Sequence, residues 1–222
     1  MEKNDFLKHI GPKPFLEYKE YDFAQRFESM IQIANVICPG FELTGHNKNL
    51  YESGIRYFAG DPKSEFPLNK GLMLYGPVGT GKSLFFRIMN LLNESTGGQN
   101  GFTVLSINQV IDGVAKSGHK YFAESGITFS NYIYGFDKSK KHLFLDDLCL
   151  SSDSVNYFGN NIDVVFNFIQ RRYAAYIENF VLSHITTNLK PELFLKHYGE
   201  AVWSRMNQLF LYVPLLGKDH RK

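Results

Sequence analysis

The octapeptide Gly76-Pro77-Val78-Gly79-Thr80-Gly81-Lys82-Ser83 constrains this chain more than any other stretch, because glycines at those intervals suit a tight turn between a strand and a helix. A short apolar run, Gly71–Tyr75, precedes it, and the apolar residues Leu84, Phe85, Phe86, Ile88 and Met89 follow at helical spacing. A loop in that setting turns its backbone N–H groups inward as an anion nest, and the helix N-terminus adds positive potential. The expected ligand is ATP with Mg²⁺, contacted by Gly76, Pro77, Val78, Gly79, Thr80, Gly81, Lys82, Ser83 and Leu84. Lys82 has the reach to meet the β- and γ-phosphates, and the Ser83 hydroxyl suits the metal.

From Lys70 onward, apolar runs of strand length alternate with helical stretches. Gly71–Tyr75 is followed by Phe102–Ser106 and by runs at 142–146, 181–186 and 209–213, each suited to a buried parallel strand. Helical patterns fill the gaps at 83–93, 108–116, 161–177 and 191–198. In the third, Val165, Phe168, Ile169, Tyr173 and Ile177 mark one apolar face. This alternation implies an α/β fold with a doubly wound, mostly parallel five-stranded sheet. Near the N-terminus, the breaker Gly11-Pro12-Lys13-Pro14 precedes a helical pattern over 17–36, which Cys38-Pro39-Gly40 stops. Residues 1–45 therefore read as a small helical N-terminal segment suited to partner docking. Residues 46–222 read as the nucleotide-binding domain, opening with a helix over Lys48–Phe58.

Two strand ends carry polar side chains. Leu143-Phe144-Leu145 runs into Asp146 and Asp147, and 181–185 runs into Thr186-Thr187-Asn188. The carboxyl ends of neighbouring parallel strands converge on one crevice. Asp146 is placed there to hold Mg²⁺ together with Ser83, and Asp147 to polarise an attacking water. The Asn188 amide donates and accepts at once, which suits a γ-phosphate oxygen and the lytic water together. A polar helix cap ahead of Pro191 is the other reading of the same residues.

The loop at 76–83, Leu145-Asp146-Asp147-Leu148, Arg171-Arg172-Tyr173, Thr186-Thr187-Asn188-Leu189, Tyr198-Gly199-Glu200 with Ser204-Arg205-Met206, and the closing Gly217-Lys218-Asp219-His220-Arg221 follow one another in this order. Over residues 48–222 they resemble the AAA+ ATPases, P-loop NTPases, of the DnaC/IstB-like group. The resemblance implies slow, switch-like ATP hydrolysis with Lys82, Asp147, Asn188 and Arg205 as the catalytic set. Arg205 would be an arginine finger, whose planar and permanently charged fork enters a neighbouring subunit's site. Such a finger needs head-to-tail stacking, so an ATP-dependent homo-oligomer is implied. Few residues follow Arg205, so no C-terminal lid domain is expected. Asp147 stands where numerous AAA+ proteins carry Glu.

The implied role is that of a DnaC-like helicase loader in DNA replication, with single-stranded DNA and a replicative helicase as partners. The alternative is an IstB-like transposition helper that binds duplex DNA beside a transposase. A small-molecule kinase is less favoured, because no acceptor pocket or Arg-bearing lid is evident. The resemblance also puts DNA against residues 110–141, where Lys116, His119, Lys120, Tyr121, Tyr132, Tyr134, Lys138, Lys140 and Lys141 interleave basic and aromatic side chains. A solvated connection explains that composition equally well.

Composition excludes little more. A net charge of +2 is too small to demand a nucleic-acid partner, and the 20 Phe and 13 Tyr fit a Phe-rich core. Cys38 and Cys149 lie in unrelated contexts and suggest neither a disulfide framework nor a metal cage. No apolar run approaches bilayer length, and MEKNDFLKHIGPKP lacks a signal-peptide core, so no membrane partner and a cytoplasmic location are expected.

Overall fold

Side chains alternate between the two faces of a strand, so a parallel sheet needs an apolar layer on each side. The computed structural model, which describes residues 15–45, 47–128, 142–149 and 154–217, meets that requirement. Five parallel strands form its sheet: β1 (Gly71–Tyr75), β2 (Phe102–Ser106), β3 (His142–Leu148), β6 (Ser183–Thr187) and β7 (Phe210–Pro214). Their order is β2-β3-β6-β1-β7. Strands β4 (Ser154–Tyr157) and β5 (Asn160–Asp163) make a separate antiparallel hairpin.

Met73, Leu143, Leu145 and Ile185 point to one face. They pack against Val110 and Val114 of α4 (Ile107–Ser117), Phe168 and Ile169 of α6 (Val164–Asn179), and Val202 and Met206 of α7 (Glu192–Leu209). The intervening residues Leu72, Leu74 and Phe144 point to the other face. There they meet α1 (Phe23–Ile37), α2 (Lys48–Phe58) and α3 (Lys82–Ser95). A short α5 (Lys120–Glu124) follows α4. This is the doubly wound α/β sheet that the alternation implied. Phenylalanine dominates the second layer: Phe58, Phe85, Phe86, Phe102 and Phe144 are all buried, and Phe86 stacks on Phe144 with ring centroids 4.4 Å apart. The described part of the N-terminal segment lies on this layer, where Met30 and Ala34 of α1 share its core.

Several boundaries differ from the periodicity, each for a local reason. The first helix starts at Phe23, because the Asp22 carboxylate accepts from the Gln25 N–H and caps it there. The preceding residues are not helical and are tied down elsewhere: Glu17 N donates to Asn100 Oδ1, and Asn100 Nδ2 donates to Glu17 O. The helix expected from 161 begins at Val164, since residues 160–163 are taken by the hairpin and Asp163 caps the helix by accepting from Phe166 N. The helix expected to end at 198 resumes after a break at Gly199 (φ 75°, ψ −179°) and continues to Leu209. That positive φ is cheap for glycine.

The amino-terminal edge of the sheet is closed by buried polar side chains. His142 Nδ1 accepts from Leu182 N, and His184 Nδ1 accepts from Leu72 N. Arg172, 1% exposed, donates to Ser183 Oγ and to the carbonyls of Leu182 and Ile127, and burial lowers its pKa to about 10. Accepting at Nδ1 puts the ring proton of His184 on Nε2, among the rings of Phe58, Phe86 and Phe102. Burial, and then the nearby His142 and Arg172, hold its pKa well below the ordinary histidine value.

That depression has a defined sign. An unfolded histidine takes up a proton near pH 6.5 whereas folded His184 stays neutral, so acid favours the unfolded chain. Stability is expected to be flat in this respect above about pH 6.5 and to fall below it by up to about 1.4 kcal/mol per pH unit. Urea unfolding at pH 7.5, 6.5 and 5.5 measures this, and a midpoint that rises on acidification would contradict it.

Candidate nucleotide site

Three strand ends and one loop meet at the carboxyl edge of the sheet. The loop leaves β1 at Gly76 (φ 148°), turns at Gly79 (φ 80°) and enters α3 from Gly81, a left-handed residue at φ 90°. A Cβ on Gly76 would lie 2.3 Å from the Leu215 carbonyl oxygen, so this position has no room for a side chain. Gly81 has open space where its Cβ would stand, and there conformation rather than crowding calls for glycine. Thr80 Oγ1 donates to Pro77 O and braces the turn, while Val78 at its tip is exposed. Leu84 is half-buried behind the loop.

Lys82, 7% exposed, lies back along the loop. Its ammonium donates to Gly76 O at 2.8 Å, to Pro77 O at 2.7 Å and to Asn188 Oδ1 at 2.9 Å. Asn188, exposed just past β6, thus meets the loop lysine directly. Ser83 Oγ donates to Asp146 Oδ1 at 2.6 Å. The sequence-expected residues Lys82, Ser83, Asp146 and Asn188 are therefore brought together.

Asp147 sits differently. Leu145 pairs with Ile185 and Leu148 with Thr187, so Asp146 and Asp147 together oppose Thr186 in a bulge. The bulge puts Asp147 at φ 62°, a conformation that Asp tolerates better than most side-chain-bearing residues, and leaves it exposed. Its N–H donates to Thr186 Oγ1 at 2.8 Å, and the same hydroxyl donates to Asp146 Oδ1 at 2.6 Å. Thr186 is the residue that sequence reasoning underrated: one hydroxyl holds the Asp146 carboxylate and the Asp147 backbone N–H. Its signal was a hydroxyl side chain beside Ile185 near the carboxyl end of the strand Ser183–Thr187.

Mg²⁺ fits this donor set. The Ser83 hydroxyl and the Asp146 carboxylate are hard oxygens already in contact, and Mg²⁺ is held by one or two carboxylates plus phosphate oxygens rather than by an all-protein cage. No cluster of three or more His, Cys, Asp or Glu ligands exists among the described residues.

Arg205 is not brought to this loop. On the second half of α7 its guanidinium donates to Gln170 Oε1 and lies 5.5 Å from the Tyr173 ring, both on α6. Among the residues proposed for DNA, Lys116 and His119 are exposed. Lys120 pairs with Glu124 at 3.0 Å, and Tyr121 is half-buried against the core beside Gly113. Tyr132, Tyr134, Lys138, Lys140 and Lys141 lie outside the described residues, as do Lys218, Asp219, His220 and Arg221 of the closing motif. Among the described residues no helix is long and apolar enough to cross a membrane.

No protein-family model and no curated protein matches the chain. Solved structures do. A candidate primosome component from Streptococcus pyogenes serotype M3 aligns at 19% identity with a TM-score of 0.54, over 80% of this chain and 84% of that one. A DnaI structure aligns at 14% identity and a TM-score of 0.54, over 84% and 94%. A DnaC helicase loader aligns at 18% identity and a TM-score of 0.53, over 80% and 95%. The chain has the α/β fold of these DnaC and DnaI proteins.

Thr186→Val is expected to leave the Asp147 N–H without its acceptor and Asp146 with one donor fewer, lowering stability by about 1–3 kcal/mol. Thr186→Ser, which keeps the hydroxyl, should retain most of it. Urea denaturation of the two variants beside the parent tests this, and equal losses in both would show that the hydroxyl is not what matters.

Proposed function

We propose that this chain binds and hydrolyses ATP as an AAA+ protein and works as a DnaC-like helicase loader in DNA replication. The observation that carries this reading is the convergence of Lys82, Ser83, Asp146 and Asn188 at the carboxyl ends of β1, β3 and β6. Fold likeness along nearly the full length of a DnaC helicase loader supports the loader role.

In this reading the N–H groups of 76–83 wrap the triphosphate, and the Lys82 ammonium exchanges two carbonyl contacts for β- and γ-phosphate oxygens. Ser83 and Asp146 hold Mg²⁺, which when bound neutralises charge on those phosphates. Asp147, aimed outward by the bulge, takes the proton of the attacking water. Asn188 orients that water and a γ-phosphate oxygen through the two ends of its amide. Asp is one methylene shorter than Glu, so turnover is slow and switch-like.

Arg205 acts in trans. Its cis partners are on α6, and the planar fork reaches a γ-phosphate only where a second copy stacks against the first. The assembly is therefore an ATP-dependent homo-oligomer. Lys116 and His119 on and after α4, with residues of 129–141, supply the single-stranded DNA contact, and the N-terminal segment docks the replicative helicase.

Lys82→Ala should abolish ATP binding. Arg205→Ala should spare binding and cut hydrolysis by about a thousandfold, the scale of a lost arginine finger. Nucleotide titration calorimetry and phosphate release measure the two. Equal loss of binding in both variants would remove the trans finger. Specific ATPase activity should rise with protein concentration and with single-stranded DNA; a stronger response to duplex DNA would favour the transposition-helper role.

A further inference from the structure

A second site lies at the opposite end of the loop helix. Helix α3 runs from Lys82 to Ser95, about 20 Å at 1.5 Å per residue, so its carboxyl end is well removed from the phosphate loop. There Ser95 and Thr96, residues 19–22 and one side of α1 line an open cavity of about 540 Å³.

Arg26 of α1 lines this cavity. It is 4% exposed, and its Nε is sealed from solvent without a hydrogen-bond partner among the described residues. No ion pair among the described residues includes it. The guanidinium lies 5.3 Å from the centre of the Tyr21 ring, which stabilises the cation from that side. Tyr21 directs its hydroxyl away, donating to Asp61, and Asp61 is further engaged by Arg56 at 3.6 Å. Buried guanidinium groups are otherwise paired or hydrogen-bonded, because desolvating an unpartnered charge costs several kcal/mol. Arg172 in this same chain shows the satisfied case, with three oxygen acceptors.

The rest of the lining selects among anions. The Lys19 ammonium is turned onto the carbonyls of Thr96 and Gly97 at 2.8 and 2.9 Å. Glu20 and Asp22 also line the cavity, with Asp22 committed to capping α1. Two cations and two carboxylates leave little net charge, so a ligand bringing one negative charge fits better than a phosphate dianion. A planar carboxylate also matches the guanidinium fork.

We propose that this cavity binds a carboxylate, with the Arg26 guanidinium as its charge partner. The carboxylate belongs either to a small metabolite or to an acidic side chain of a protein segment. The two sources share the same chemistry at Arg26.

The test follows the Arg26 Nε–H resonance of the isotope-labelled full chain at constant ionic strength, which needs no variant to fold. N-acetylglutamate amide should shift it saturably, and equally in Lys82→Ala, which separates this site from the nucleotide site. Free glutamate binding more tightly than an acetyl-Gly-Glu-Gly-amide peptide assigns the ligand to small molecules. The reverse order assigns it to a protein segment. Titration calorimetry, which does not depend on that resonance, should find binding weakened by at least about tenfold in Arg26→Gln, the scale of a lost charged hydrogen bond, and unchanged in Arg87→Gln on the exposed side of α3. No saturable shift with any carboxylate, a shift with inorganic phosphate alone, or undiminished binding to Arg26→Gln would each overturn the proposal.

Discussion

One carboxylate oxygen holds the site together. Asp146 Oδ1 accepts hydrogen bonds from Ser83 Oγ and Thr186 Oγ1, each at 2.6 Å, and so joins the loop helix, β3 and β6 at a single atom. In the sheet β6 lies between β1 and β3, so these three strands are consecutive neighbours and their ends form one row. The lysine of the loop completes the row by reaching Asn188 just past β6. Hydrogen bonds to a charged group are among the stronger ones available to a protein. This arrangement therefore fixes the spacing of loop and strand ends, the kind of preorganisation that the proposed phosphoryl chemistry would depend on.

The two edges of the sheet are built on opposite terms. At the carboxyl edge, Ser83 and Asp146 are half-buried and Asp147 and Asn188 exposed, while Lys82 is buried against the loop carbonyls. At the amino edge, His142, His184 and Arg172 are buried and serve the backbone, supplying acceptors to Leu182 and Leu72 and donors to Leu182 and Ile127. Arg172 belongs to the Arg-Arg-Tyr motif that helps suggest a nucleotide switch, yet its contacts are those of a structural post. Unpaired backbone groups inside a protein are costly, which gives a physical reason for spending two histidines and an arginine there.

Between these edges the apolar layers do the remaining work. Phenylalanine fills the face under α2 and α3, with Phe85 and Phe86 following directly on the loop, so the helix that presents the phosphate nest is anchored by its first turns. Close packing of such rings gives the loop a rigid base.

Much of this was legible in the chain. The glycine spacing, the apolar strand before it and the helix after it specify a strand–loop–helix unit, and β1, β2 and α2 fall at the residues that periodicity indicated. These features depend on neighbours within a few residues, which is the range over which backbone conformation and amphipathic pattern are set. Strand order, the bulge at Asp146 and Asp147, the late start of α1 and the seat of Arg205 on α6 came only with the tertiary structure. Most rest on a partner far along the chain: Thr186 for the bulge, Asn100 for the residues ahead of the locally capped α1, Gln170 and Tyr173 for Arg205. Hydrogen bonds between residues tens of positions apart leave no periodic trace, so only the folded chain could decide them.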